Sequence, residues 1–202
     1  DEENPSSVKS SLLAARTNAR SVRTALTTEM WESINSAWLE FSVIRPRDIS
    51  GAKLQELLFW IKQVSHRYRG ALLSTFLRDE GYAFSQIGNF VERADNTARI
   101  LDMKYYVLLP RQTMVGGDVD IAQWTMILRA ASAHRSYRHV YHDRYKAWNI
   151  ADYLILRPEM PRSLIFCVDW INRTVDMLEE FHGGRSKGHD AVDSVAELLE
   201  GV

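Results

Sequence analysis

Two hundred and two residues, 46% of them hydrophobic, are enough for one domain with a substantial core. Lysine and arginine (25) nearly cancel aspartate and glutamate (26), so the net charge of −1 gives no global case for DNA or an anionic membrane surface. The single cysteine, Cys167, excludes an internal disulfide framework, and no apolar run approaches the ~18 residues of a membrane-spanning helix.

The chain opens on Asp1-Glu2-Glu3-Asn4-Pro5, which has neither the pattern of a signal peptide nor an initiator methionine. A cytoplasmic protein is expected, with this chain as a piece of a longer one. Asn4-Pro5 reads as a helix start, a side-chain cap followed by a first-turn proline. The helix is predicted to run to about Phe41, with Val8, Leu12, Ala15, Ala19, Val22, Leu26 and Met30 as its inner stripe. Arg45-Pro46-Arg47-Asp48 is a connector, and Ser50 caps a second helix carrying Leu54, Leu57, Leu58, Ile61, Val64, Tyr68, Leu72 and Phe76. Gly81 marks the break before a third helix, which continues to about Leu109 and stops at Pro110. Its apolar residues Phe84, Ile87, Val91, Ala94, Ala98, Leu101 and Tyr105 alternate steps of three and four, the spacing of one buried face.

Arg111 to Asp120, with Gly116-Gly117, is an irregular stretch, and a fourth helix spans roughly Ile121 to Lys146. A short helical or irregular piece follows over Asn149 to Leu156. Pro158 and Pro161 bracket a turn, and a fifth helix runs from about Arg162 to His182. Residues 183–188 are a flexible, glycine-rich connector to a short acidic helix, Asp190 to Glu200. The expectation is an all-α fold: one domain over 1–202, a bundle of about five long, mostly antiparallel helices plus a short terminal helix.

Beside the third helix's apolar face, Glu92, Asn96 and Arg99 form a polar row at i, i+4 and i+7. The first helix carries Arg16, Arg20 and Arg23 at the same spacing, with Asn18 off that face. If the two helices touch, Glu92 and Asp95 accept bidentate bonds from these arginines. One reading is a polar seam that only fixes register. The other is a cleft in which surplus arginines, Arg93 and Arg99 included, face a carboxylate or phosphate. Trp31, Asn35 and Trp38 share a face and read first as core aromatics with a satisfied amide. In His134 to Lys146, basic residues interleave with aromatics, a pattern able to track a nucleic-acid backbone and stack bases. Tyr137, Tyr141 and Tyr145, four apart, fit a packing seam better.

No metal site and no cofactor are expected: His139, His142 and Asp143 lack a further fixed ligand, and a ferritin-like di-metal set fails because Glu179-Glu180-Phe181-His182 is the lone Glu-x-x-His pair. No nucleophile elbow, phosphate loop or His-Glu-x-x-His occurs. Cys167, in an apolar run, reads as a core residue rather than a nucleophile. Pro161-Arg162-Ser163 is a helix start whose geometry can also hold an anion.

Asn4-Pro5-Ser6-Ser7-Val8, Ala15 to Arg23, Glu29-Met30-Trp31-Glu32 with Asn35, Gly88 through Asp102, and Pro161-Arg162-Ser163, in this order, resemble the alpha-E family, a bacterial helical domain of unknown function. Family members begin with a further helical region bearing another Glu-Arg-Ala helix, so the resemblance implies that the N-terminal part is missing. It also implies neighbours: alpha-E domains occur fused to, or encoded beside, circularly permuted ATP-grasp proteins and transglutaminase-like peptidases. The site residues it carries over are Arg16, Asn18, Arg20, Arg23, Glu92, Arg93, Asp95 and Arg99, with Arg162 and Ser163; Asn96 joins them by its place in the row. The function expected is an accessory domain of a peptide-ligation or peptide-processing system, binding a partner protein or an anionic peptide or acyl-phosphate group, with self-association as a further possibility. The alternatives are an enzyme with Glu92 as general base, disfavoured because neighbouring arginines lower a carboxylate's pKa, and an RNA-binding module using residues 134–146.

Overall fold

A computed structural model describes residues 4–45, 49–106, 116–142, 145–184 and 187–201. Among them every regular element is an α-helix, in the order α1 Val8–Ser21, α2 Thr28–Ser42, α3 Ala52–Thr75, α4 Glu80–Tyr106, α5 Asp118–Ala130, α6 His134–Tyr141, α7 Ala147–Ile155, α8 Leu164–His182 and α9 Lys187–Glu200. The all-α expectation holds, but in shorter pieces than the periodicity suggests. The chain forms two compact units, Asp1–Tyr82 and Ala83–Val202.

In the first unit the expected long helix is split. Asn4 is not its cap: the Asn4 side chain accepts from the Ser6 N–H at 2.9 Å, forming a turn, and Ser7 caps α1 by accepting from Ser10 N–H at 3.2 Å. α1 ends at Ser21, and Thr27 opens α2 by accepting from Met30 N–H at 3.3 Å, with Glu29 in the first turn. A hydroxyl cap followed by an early acid is a helix-start signature that offsets the continuous apolar spacing. Ser50 supplies no side-chain cap to α3; Gly51 occupies that position at φ 52°, a conformation costly for a residue with a Cβ. Thr27 meets Thr75 at 2.8 Å while Trp60 donates to Glu40 at 2.7 Å, so the start of α2 lies by the end of α3 and the two run antiparallel.

The second unit holds the larger core. Leu101, Trp124, Ile127, Leu128, Ala131, Ala133, Tyr137, Ile150, Tyr153, Leu154 and Met160 form one buried cluster drawn from α4 to α7 and the turn before α8. Leu128, Ile150 and Leu154 are fully buried, each such side chain contributing about 1.5–3 kcal/mol from area removed from water.

The expected fourth helix is broken at 131–133. The N–H of Ala133 donates to Leu128 C=O at 2.7 Å and that of Ser132 to Arg129 C=O at 3.0 Å, with Ser132 at φ 54°. These are the two bonds of a Schellman stop, made without glycine. α5 begins at Asp118, inside the stretch read as irregular. α7 and α8 fall where expected, and Ser163 caps α8 by accepting from Phe166 N–H at 3.1 Å. Gly183 closes α8 in the left-handed conformation, and α9 starts three residues earlier than the connector reading allowed. The expected end of the third helix at Pro110, the proline and charges of 46–48, and Asp143 lie outside the described residues.

Candidate functional site

The inner face of α4 is not the stripe that spacing predicts. Buried on it are Ala83, Gln86, Phe90, Thr97, Leu101 and Lys104, whereas Phe84 (62% exposed) and Val91 (50%) face solvent. The helix is therefore turned by about one residue, ~100°. Polar anchors set that turn. Arg93 donates through Nη1 to the Pro161 carbonyl at 2.9 Å, and Thr97 Oγ1 donates to the Arg162 carbonyl at 2.8 Å. The Arg93 guanidinium also lies 5.0 Å from the Phe90 ring, which stacks on Trp170 of α8 at 5.4 Å.

The Pro161-Arg162-Ser163 turn is thus tied to the middle of α4. Ser163 is fully buried; its hydroxyl donates to Arg157 C=O at 2.6 Å while capping α8. Cys167, one turn into α8, is fully buried too. Burial pushes its thiol above the ordinary value, against the opposing pull of the Arg93 and Arg162 charges. That environment keeps it protonated and inert, as the core reading has it.

The rest of the polar row on α4 faces water. Glu92 and Asn96 are exposed, Asp95 is half-exposed, and Arg99 Nε donates to Asp95 at 2.7 Å within the same helix. That bond is the main reason the Arg99 pKa is raised. An exposed i,i+4 pair of this kind adds little to stability, because water screens both charges.

In the first unit, the guanidiniums of Arg16, on α1, and Arg23, just past the end of α1, rest on α2. Arg16 Nε donates to Asn35 Oδ1 at 2.9 Å, and the Arg23 guanidinium sits 5.3 Å from the Trp31 ring. As residue number rises along α1 the partner's number falls along α2, so these helices are antiparallel. Arg20 and Asn18 are exposed. The amide and indole singled out as core are therefore the supports of the arginine row. Residues 16, 18, 20 and 23 belong to one compact unit, and 92, 93, 95, 96, 99, 162 and 163 to the other.

The family's description decides what this pattern belongs to. Residues 1–202 match Alpha-E, "a predicted alpha-helical domain with a conserved ER motif". The chain belongs to the Alpha-E family. No curated protein and no solved structure matches it. Glu92-Arg93, on α4, is the sole Glu-Arg dipeptide in the sequence. Its two residues part ways: Arg93 ties α4 to the α8 entry, and Glu92 is exposed.

Two polar features of this Alpha-E chain lie outside the sequence-based set. Lys104 Nζ donates to Asp120 Oδ1 at 2.6 Å and to Gln123 Oε1 at 2.7 Å, with the Lys104 and Asp120 side chains only 4% and 5% exposed. Burial pushes the Asp120 carboxyl up, but bonds from Lys104 and the Gly116 N–H, with the Lys104 charge, outweigh it and hold it below the usual range. Only the rotation of α4 and the early start of α5 reveal the pair.

The second feature is a tyrosine cluster. Tyr137 is fully buried, stacks on Tyr141 at 4.9 Å and meets Tyr153 edge-on at 5.5 Å. Tyr141 donates to Asp152 at 2.6 Å; burial first, then that carboxylate, pushes its hydroxyl up to about 12. The seam reading of residues 137, 141 and 145 holds. His134, Arg135, Arg138, His139 and His142 are left to line an open recess. No helix among the described residues is long and apolar enough to cross a membrane.

Proposed function

We propose that this Alpha-E domain is a non-catalytic accessory module of a peptide-ligation or peptide-processing system built around a circularly permuted ATP-grasp protein. It binds that partner, or the anionic peptide or acyl-phosphate the partner handles, through its arginine face. The observation that carries this reading is the basic stretch made of α1 and the segment leading to α2. From Asn4 to Thr28 the chain has Lys9, Arg16, Arg20 and Arg23 and not one acid. Asn35 and Trp31 fix two of the guanidiniums in place, which lowers the entropy lost when they grip a carboxylate or phosphate. Arg99 and Glu92, exposed on α4 of the other unit, form a separate polar surface for a second contact, with Glu92 orienting a substrate amine. Exposure argues against Glu92 as a general base, because the desolvated setting that role needs is missing. A transglutaminase-like peptidase is a second partner of the same system.

The test is binding of the ATP-grasp protein encoded beside this domain, and of an acidic peptide, to the Arg20→Ala, Arg99→Ala double variant. Binding weakens at least tenfold, ~1.4 kcal/mol, while the melting temperature stays within about 2 °C because both side chains are exposed. Intact binding with a lowered melting temperature reduces the arginine face to scaffolding and overturns the proposal.

A further inference from the structure

We propose that Asp176, Glu179 and His189 form a site for a divalent transition-metal cation of the zinc class, clamping α9 onto α8. His189 Nδ1 lies 3.4 Å from Asp176 Oδ1 and 3.4 Å from Glu179 Oε1, and one ligand atom from each of the three residues lies within 4.8 Å of the others. Those separations match two donors on one tetrahedral cation, since ligands held at about 2.0–2.1 Å sit about 3.4 Å apart.

The opposite ring nitrogen supplies a second, independent feature. Nε2 faces Asp193 Oδ2, one turn further along α9, at 3.6 Å, an ion-pair separation that has to close by about half an ångström to become a hydrogen bond. A carboxylate on the far nitrogen fixes the tautomer and orientation of a metal-bound imidazole and raises its basicity. Three carboxylates around one imidazole carry a net negative charge that a divalent cation offsets, and mixed imidazole and carboxylate donors select zinc-class ions over calcium or magnesium. The His189 and Glu179 side chains are each 18% exposed, so the donors are shielded while Asp176, 53% exposed, leaves an entry path. Sequence reading missed the set because its members come from two helices, and only the reversal at Gly183 brings them together. The inference does not depend on the arginine-face reading.

The experiment is zinc titration of the untagged, chelator-treated full chain against a chromophoric competitor, with thermal unfolding alongside. The chain takes up one zinc, which raises its melting temperature. His189→Ala and Asp176→Asn each bind at least a hundredfold more weakly and lose the thermal gain. Asp193→Asn binds about tenfold more weakly, the effect of losing an orienting carboxylate. The His139→Ala, His142→Ala double variant, altered in the other histidine-bearing recess, binds like the unaltered chain. Far-UV circular dichroism checks each variant's helicity, and Glu179→Gln replaces His189→Ala if the latter does not fold. No zinc uptake at about 100 μM, a concentration far above that at which built zinc sites saturate, overturns the site, as does undiminished uptake by Asp176→Asn and Glu179→Gln.

Discussion

Replacing Arg93 with alanine removes the bond to the Pro161 carbonyl and the cation beside Phe90, in a half-buried setting. A hydrogen bond to a charged group contributes about 1.5–3 kcal/mol, so urea unfolding of Arg93→Ala shows a loss of that order. Glu92→Gln, one residue away but exposed, changes stability by less than about 0.5 kcal/mol. Equal losses at the two positions contradict the division of the Glu-Arg pair into an outward and an anchoring residue. The Lys104–Asp120 pair is a stricter case, because both charges are buried. Asp120→Asn strands an ammonium out of water and costs about 3–5 kcal/mol, whereas Lys104→Met with Asp120→Leu comes close to neutral. The folded pKa of Asp120 is depressed, so its contribution is present above the unfolded value of ~3.9 and is lost as pH falls below it. Asp120→Asn therefore flattens the acid limb of a stability–pH curve.

Between elements, the decisive positions are breaks rather than helices. Ser132 carries a side chain at φ 54°, where glycine fits without strain, and it is exposed. Ser132→Gly is expected to stabilise the chain by about 0.5–1 kcal/mol, read as a higher melting temperature; a lower one shows that the hydroxyl, not the backbone, holds the turn. This position also explains why part of the fold was hidden. The end of α8 at Gly183 was legible, and so was its start at Ser163, whereas Gly81, read as the break before the third helix, lies inside α4, whose first turn Asp79 caps by accepting from Tyr82 N–H. The breaks at 22–27 and 131–133 are made by Thr27 and by a serine standing in glycine's usual place, so a continuous apolar period ran across them. The site divides in the same manner. Its residues were legible as arginine and carboxylate rows, but their partners Asn35, Trp31 and the Pro161 carbonyl are tertiary facts that no spacing encodes. The rotation of α4 follows from such bonds, which outweigh the preference of Phe84 and Val91 for the interior.

Across the whole molecule, apolar burial is uneven. Among the described residues the first unit fully buries Ala19, Met30, Ala37 and Leu72, while the second buries sixteen hydrophobic side chains. Of the α3 stripe expected to be internal, Leu54 and Leu58 are exposed, Leu57, Ile61, Val64, Tyr68 and Phe76 are half-buried, and Leu72 is buried. Three helices cannot surround one of their own number, so the 24-residue α3 is covered on one side. Less apolar area removed from water means a smaller opposing term to chain entropy, hence a lower local unfolding free energy. Amides of α1 to α3 are therefore expected to exchange with deuterium at least tenfold faster than those of α5 to α8, a difference of ~1.4 kcal/mol. Leu72→Ala, a buried truncation worth about 2–5 kcal/mol, accelerates exchange in the first set alone, and Leu154→Ala does so in the second. Uniform protection across both sets, with either truncation loosening all the helices together, shows that the chain opens as one cooperative body and that burial within each unit does not set its stability.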